Sequence, residues 1–428
     1  MRRSRAILAA MALCLPAGPL PGLEKPLPDG LVASPEPGWP QWRGPRRDGV
    51  CREKGLRQTW PAGGCKLLWK LDGLGRGWSS PVIARGRLYI TGDVAAERRL
   101  MIHAVDLTGR RRWRVANGRA WTGSFRGARA SCLFDADRLY HMNAHGRVAC
   151  LDAATGTERW AVNVLERFAG KTIRWGLAEC LLADGPRLIV TPGGRKAMMA
   201  ALDKANGRTV WASEPLGKDN ASYASPILFR YGGRRHVVNC SSRHAFGVDA
   251  DSGKLQWTTP RPTRWEAIAT TPLYHAGSVL VAGPEDRGAE RFRLVVEGDR
   301  TRIERLWLSP MMDMSGCFTL VEGRLFGSGY RRTYRGWACL DFATGKVLYR
   351  WKDLARGAHI WADGRLVCVS QAGEVLLLAP RADRFEPCGR FRPGPRKCND
   401  FWAHPVIHDG RLYLRYHDTL WCYDVRAT

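Results

Sequence analysis

The sequence predicts an all-β fold: an eight-bladed β-propeller of four-stranded antiparallel blades, closed by an N-terminal strand that completes the last blade. Three observations predict it. A phrase that ends a strand with Asp, turns through a residue pair such as Thr-Gly and resumes on an aromatic recurs along the chain. A second phrase, Gly-Arg-Leu-Tyr or a close variant, precedes it. Finally, the two ends of the chain are complementary fragments of one unit. A fixed period of this length marks one supersecondary unit per repeat.

The turn phrase runs from Asp106 to Gly109 before Trp113, from Asp152 to Gly156 before Trp160, from Asp203 to Gly207 before Trp211, from Asp249 to Gly253 before Trp257 and from Asp341 to Gly345 before Tyr349. The aromatic always stands four residues after the Gly. The Asp carboxylate accepts N–H bonds from the turning residues and the Gly supplies positive φ. These Asp residues therefore read as turn holders without chemistry. A Trp offers a broad apolar face and one N–H that needs a partner, so the ring is expected to wedge between neighbouring sheets.

The second phrase is Gly86-Arg87-Leu88-Tyr89, Asp137-Arg138-Leu139-Tyr140, Gly323-Arg324-Leu325-Phe326, Gly364-Arg365-Leu366-Val367 and Gly410-Arg411-Leu412-Tyr413, with weaker copies at 185–189, 234–238 and 277–280. It reads as a hairpin turn followed by an alternating strand. Units start near Ser80, Ser131, Glu179, Ser225, Thr271, Gly316, Ala358 and His404, which makes eight. Their aromatics, from Trp69 to Phe391, recur every 42 to 51 residues. The last unit stops after Asp424 without a fourth strand, and Trp69 has no unit before it. Residues near 66–70 are then the missing outer strand, which closes the ring and removes free sheet edges. A β-solenoid or open array explains the period but not the complementary ends. Helical repeats conflict with the alternating apolar residues of 87–91 and 411–415 and with dense Gly and Pro.

Met1 to Arg5 is basic, 6–15 is a short apolar run and Pro16-Ala17-Gly18 is small, so residues 1–20 read as an export signal. Cys14 opens a lipoprotein variant, although Leu13 before it is larger than a lipid-attachment site favours. Residues 21–62 read as a Pro-rich linker and leading segment, and 63–428 as the propeller. The expected location is periplasmic or otherwise extracytoplasmic, with a lipid-anchored form through Cys14. Beyond the N-terminus no stretch is long and apolar enough for a spanning helix. The mature chain is expected to be a monomer.

Thirteen Cys in an exported chain normally suggest disulfides. Here Cys132, Cys180 and Cys317 align with the slot of Pro81, Pro226, Pro272 and Pro405, and Cys150, Cys339 and Cys422 stand two residues before a turn Asp or its equivalent. They read as small buried residues. Cys51 with Cys65, or Cys388 with Cys398, could bridge locally. No Cys-x-x-Cys or Cys-x-x-Cys-His occurs, so a zinc ribbon, a thioredoxin-like site and covalent c-type haem lack support.

Lys and Arg number 67 against 40 Asp and Glu, a net +27. Attraction to polyanions is one reading. The even spread over every unit favours a solvated surface, with Arg87, Arg138, Arg324, Arg365 and Arg411 at repeated turn positions. No nucleic-acid-binding motif accompanies the charge. Nucleophile-elbow, P-loop, His-Glu-x-x-His and Gly-x-Gly-x-x-Gly patterns are also absent from the sequence.

From Trp39 to Asp424 the repeat pattern resembles the PQQ-binding-like β-propeller repeat family of the quinoprotein alcohol dehydrogenase-like superfamily. The opening Trp39-Pro40-Gln41-Trp42-Arg43-Gly44-Pro45-Arg46-Arg47-Asp48-Gly49 is similar to the start of secreted bacterial members, as are Ser79-Ser80-Pro81, Arg174-Trp175-Gly176 and Trp402-Ala403-His404-Pro405. The resemblance implies the fold, while one fold hosts many functions. It brings PQQ and calcium into view by resemblance only. Quinoprotein dehydrogenases often hold adjacent cysteines against the cofactor, and this chain has no Cys-Cys pair. No calcium-ligand set can be carried over.

First strands of propeller blades line the axis. Residues just before and within them form the candidate ligand site: Trp78, Arg129, Trp175, Glu179, Tyr223, Asp313, His359, Trp402 and His404. Aromatics and a few charges converging on a funnel suit ligand binding. The first functional reading is a noncatalytic extracytoplasmic binding or assembly scaffold. It would resemble the propeller lipoprotein of the outer-membrane β-barrel assembly machinery, with an envelope protein or polymer as partner. The alternatives are a PQQ- and calcium-dependent dehydrogenase of alcohols or polymers, and an envelope polysaccharide binder.

Overall fold

The computed structural model describes residues 29–283, 288–311, 317–329, 335–395 and 397–427. The export-signal residues, Cys14 and Asp313 lie outside the described residues. The chain forms eight antiparallel blades: 82–119, 133–163, 182–212, 227–260, 273–309, 319–351, 357–391, and 406–424 completed by Lys66–Leu71. That completing strand pairs antiparallel with Thr419–Asp424, Trp69 opposite Cys422. Each of the first seven blades runs from an inner strand to an outer one in chain order, because a hairpin is the shortest connection between antiparallel strands. Gly30–Leu31 adds to the inner strand of blade 4, and Val50–Cys51 runs parallel to the inner strand of blade 7.

Both faces of a blade's inner strands are buried, so those strands are largely apolar, yet the period of two still decides which neighbour each side chain meets. In Arg147–Asp152, Val148 and Cys150 pack with Leu188 and Leu202 of blade 3. Ala149 and Leu151 pack instead with Val82 and Tyr89 of blade 1. The core is thus a series of slabs between blades.

The turn phrase forms the joint between them. Asp106 Oδ1 accepts the Thr108 and Arg110 N–H groups, both at 2.9 Å, and Asp152 Oδ1 accepts those of Ala154 and Thr155. The aromatic of one blade lies on the turn of the next. Trp69 Nε1 donates to Leu107 O at 2.9 Å, Trp113 to Ala153 at 3.3 Å, Trp160 to Lys204 at 2.9 Å, Trp211 to Ala250 at 3.1 Å and Trp307 to Phe342 at 3.0 Å. A Cβ on Gly109, Gly156, Gly207, Gly253 or Gly345 would stand 2.4 to 2.9 Å from those rings, and each Gly has positive φ. Two separate demands therefore require glycine there. Trp257 is the exception. Blade 5 replaces the short turn with the long hairpin Ala289–Glu297 and Arg300–Ser309, and Trp257 lies over Gly247 of its own blade.

Three sequence expectations are corrected. The repeated arginines are not simply solvated: they are half-buried clamps onto the same turns. Arg87 Nη1 donates to Ala154 O at 2.6 Å, Arg138 to Lys204 at 3.0 Å, Arg324 to Arg381 at 2.7 Å and Arg411 to Leu107 at 2.9 Å. Arg365 instead reaches Gln58 O. Neither Cys51 with Cys65 nor Cys388 with Cys398 is bridged; the twelve described cysteines are free. Cys51 Sγ faces Ile407 O, and Cys398 Sγ faces Gln371 O.

The unit alignment also shifts by one residue at two blades. Cys180 and Cys317 take the slot of Ser80 and Ser131, not that of Pro81. There each sulfur accepts a neighbouring blade's N–H, Ser131 N at 3.2 Å and Thr271 N at 3.5 Å. Ser80 N to Ser131 Oγ, Cys180 N to Ser225 Oγ and His404 N to Ser80 Oγ, each 2.9 Å, continue this belt around the axis.

Trp160→Ala is expected to lower unfolding free energy by about 3 kcal/mol, the range for deleting a packed aromatic. Gly207→Ala beneath it is expected to cost at least about 1 kcal/mol, from positive φ and the crowded ring. Denaturant titration checks both. Unchanged midpoints would show that the joint carries no stability.

Candidate functional site

Two regions meet the axis. The first is filled by the chain itself. Residues 30–51 touch all eight blades, which is possible only near the centre. Gly30 and Leu31 pair with blade 4, Trp39 bridges Ile83 of blade 1, and Pro40 O accepts Phe134 N of blade 2. Arg47 reaches blade 3, Trp42 reaches blades 5 and 8, Arg43 reaches blade 6 and Val50 reaches blade 7. Arg43 and Arg47 are 3% and 4% exposed. Arg43 Nη2 donates to Phe318 O at 2.6 Å and Thr319 Oγ1 at 3.1 Å; Arg47 donates to Leu181 O and Cys180 O, both at 2.8 Å. Burial pushes Arg47 down to about 10, still charged at neutral pH. Gly44 lets Trp39 fold over the segment, since a Cβ there would stand 2.9 Å from the ring.

Three sequence candidates lie around this segment. His404 lies 4.5 Å from Trp42 with the rings tilted by 60°, while His359 is fully buried 5.4 Å from Trp337 and held neutral by burial and by the neighbouring Arg43. Glu179 is 2% exposed. Its Oε1 accepts Thr191 N at 3.0 Å and its Oε2 accepts Asn239 Nδ2 at 3.1 Å. Burial raises it to about 7 against the opposing pull of Thr191, Arg47 and Asn239. It occupies the slot of Ser79 rather than Ser80, as the register of Cys180 requires.

The second region is a rim on the face where the outer strand of one blade links to the inner strand of the next. Each such link must cross from the periphery to the axis, so it lays its residues over the channel mouth. The rim gathers Trp78, Arg129, Trp175, Tyr223 and Trp402 from the sequence candidates. Trp78 and Trp402 are 5.1 Å apart, Trp175 and Tyr223 5.6 Å, and the Arg129 guanidinium lies 5.3 Å over Trp78. Phe125 joins the two halves, 5.6 Å from Trp402 and 6.0 Å from Trp175. Arg174 and Arg264 lie over Trp265 at 5.0 and 4.9 Å, and a cavity of about 260 Å³ opens among Arg174, Tyr223, Ser242 and Trp265.

Phe125, Trp121 and Trp265 were missed because they sit deeper in the links than the residues just ahead of each first strand. Their signal was the aromatic content of the links themselves. Phe125 is 51% exposed and Trp265 41%. Phe125 also has φ of 54°. Arg129 holds it there by donating to Phe125 O and Gly127 O at 2.5 Å. Strain of this kind persists only where surroundings enforce it, and it gathers at functional surfaces. Beneath, Asp93 accepts Trp121 N at 3.0 Å near Arg129 and Arg415, and burial raises it to about 6.

The described residues assemble no calcium-ligand set. Calcium takes six to eight oxygen ligands. Among the described residues no three His, Cys, Asp or Glu gather to hold a metal. Both oxygens of Glu179 already accept protein donors, and Arg47 supplies the nearby positive charge.

A family model described as outer membrane protein assembly factor BamB matches residues 98–312. A search of curated proteins finds no match. BamB from Moraxella catarrhalis superposes with a TM-score of 0.58 at 12% identity, over 85% of this chain and 98% of that one. Quinohemoprotein alcohol dehydrogenase from Comamonas testosteroni gives 0.62 at 14%, over 92% and 81%; a europium-containing methanol dehydrogenase gives 0.62 at 12%, over 90% of each. At such identities the likeness is one of fold. No helix among the described residues is long and apolar enough to cross a membrane.

Glu179 has a pH signature. Its folded value near 7 lies above its ordinary 4.5, so its contribution to stability is full below about 4.5 and is lost as pH rises through about 7. Asp93 acts likewise between its ordinary 3.8 and about 6. Glu179→Gln is expected to flatten the fall in denaturation midpoint between pH 6 and 7, and adding Asp93→Asn to flatten the lower part. An unchanged profile in the double variant would refute the assignment.

Proposed function

The chain belongs to the family described as outer membrane protein assembly factor BamB, and on that premise we propose that it is a noncatalytic extracytoplasmic β-propeller, a binding or assembly scaffold of the cell envelope. The observation that carries this reading is the filled axis. Where a propeller enzyme needs room at its centre, this chain places its own residues 30–51 and anchors Arg43 and Arg47 of that segment on backbone carbonyls of blades 6 and 3. The exposed aromatic contact surface is the rim. Exposed aromatic anchors beside arginines have the composition of interface hot spots, and the held loop of Phe125 limits the ordering cost of binding. The first partner class is an envelope protein. The mixture of aromatics with Arg129, Arg174 and Arg264 also supports an envelope polysaccharide as the alternative occupant. A PQQ-dependent dehydrogenase is the reading least supported, because Glu179 is committed to Thr191 and Asn239.

Photo-crosslinking groups at 125 and 265 are expected to trap one discrete protein species in an envelope fraction, with none trapped from 348 on an outer strand. Titration with PQQ and calcium, monitored by absorbance and dye reduction with alcohols, is expected to show no saturable binding. One-to-one binding with dye reduction would overturn the scaffold. Retention on acidic polysaccharide gels, lost in Phe125→Ala/Trp265→Ala, with no crosslinked protein would select the polymer instead.

A further inference from the structure

We propose that a second cavity, at the end of the inner strands opposite the rim, is a binding site for a small phosphate-bearing anion. The cavity, of about 260 Å³, lies between the N-terminal segment and blades 4 to 6, beside Tyr274. Four arginines line it, Arg43, Arg46, Arg47 and Arg52, and Asp48 is the one acidic residue in its wall. Asp48 is already engaged, 2.9 Å from Arg52 and 3.7 Å from Arg46.

The two deepest arginines make no ion pair with a carboxylate among the described residues, and the acid whose charge reaches Arg47 is Glu179, itself raised to about 7 by burial. Arg43 is met by Phe318 O, Thr319 Oγ1, Arg47 O and Asp48 O, and Arg47 by Gln41 Oε1, Leu181 O and Cys180 O. Every acceptor is neutral. One N–H nitrogen on each of Arg43 and Arg47 is buried without a hydrogen-bond acceptor, and the buried Nε of Arg46 has only the Asp48 carboxylate at 3.7 Å. Holding guanidinium groups side by side out of water, with fewer carboxylates than arginines near them, is costly, and an anion in the cavity would offset that cost.

The geometry points to the class of anion. Arginines brought to one cavity wall from separate positions along 43–52 suit a phosphate, whose oxygens accept in several directions. The volume is below the ~300–1,000 Å³ of pockets for drug-sized ligands, so the occupant is a phosphate or a small group bearing one, not a polymer. Bound there, it would tie the N-terminal segment to the blades. The site is separate from the rim and stands whether or not the rim binds a protein.

Isothermal titration of the full chain with inorganic phosphate, in chloride buffer of matched ionic strength, is the test. One saturable site per chain and a higher Tm in phosphate than in chloride are expected. Arg46 and Arg52 are 43% and 52% exposed at the cavity mouth, so Arg46→Gln and Arg52→Gln can be replaced without emptying the axis. Each is expected to weaken binding at least ten-fold, while Arg305→Gln on an outer strand leaves it unchanged. No saturable heat and equal Tm values, or full affinity in both cavity variants, would overturn the proposal. Given binding, phosphatidylglycerol vesicles separate the sources: capture of the chain that free phosphate reverses identifies a lipid headgroup, and no capture identifies a soluble phosphate compound.

Discussion

An indole ring resting on a glycine of the next blade, its N–H given to the carbonyl beside that glycine's turn, is the contact on which the rest of the molecule depends. It couples the local turn to the long-range ring. The Asp shapes the turn, the turn exposes a bare glycine, and the glycine admits the Trp of the preceding blade. Arginine from the second phrase then clamps the same turn. Trp69 and Arg411, both from the blade built of the two chain ends, dock on Leu107 O of blade 1, so ring closure uses the same joint as its interior. The contact is repeated around the ring and needs few residues in each blade.

A closed ring of flat blades leaves an axis, and something must satisfy the polar groups that face it. Here the belt of Ser and Cys side chains links one inner strand to the next, and the N-terminal segment covers the remaining carbonyls with Arg43 and Arg47. The consequence is a division of the molecule into two faces. One carries the links that cross from periphery to axis, and with them the aromatic rim. The other carries the tight turns and the arginine-lined cavity. Glu179 lies between them as a buried acid, its charge disfavoured by burial and only partly supported by Thr191, Arg47 and Asn239.

The fold was legible because its signals are local and repeated. Asp152, Gly156 and Trp160 can be recognised without knowing where any of them goes, and five copies of that phrase within eight units leave little freedom for another architecture. The unmatched strand at Trp69 was legible for the same reason, as a fragment of a known phrase. The rim was legible in part. Trp78, Trp175, Tyr223 and Trp402 lie within a few residues of an inner strand, so strand position predicted them. Phe125 and Trp265 did not follow from position, since the path of a link across a face depends on what it packs against. The alignment of Cys180 failed by one residue because Cys fits both the Pro slot and the Ser slot by size. Only the neighbouring N–H of Ser131, which needs an acceptor, distinguishes them.

By itself the sequence determined the blade count, the strand order, the closing strand and the turn chemistry, since each is written in spacings that the backbone periods of sheet and hairpin must obey. Tertiary structure alone decided what occupies the axis, which aromatics meet and which arginines are buried. Trp39 to Gly49 reads as an isolated motif with no periodic partner, and its role emerges only when eight inner strands converge and present carbonyls that need donors. Burial of charge is a property of the assembled ring: the same guanidinium that is solvated on an open chain becomes a clamp or a cavity wall once neighbouring blades exclude water from it.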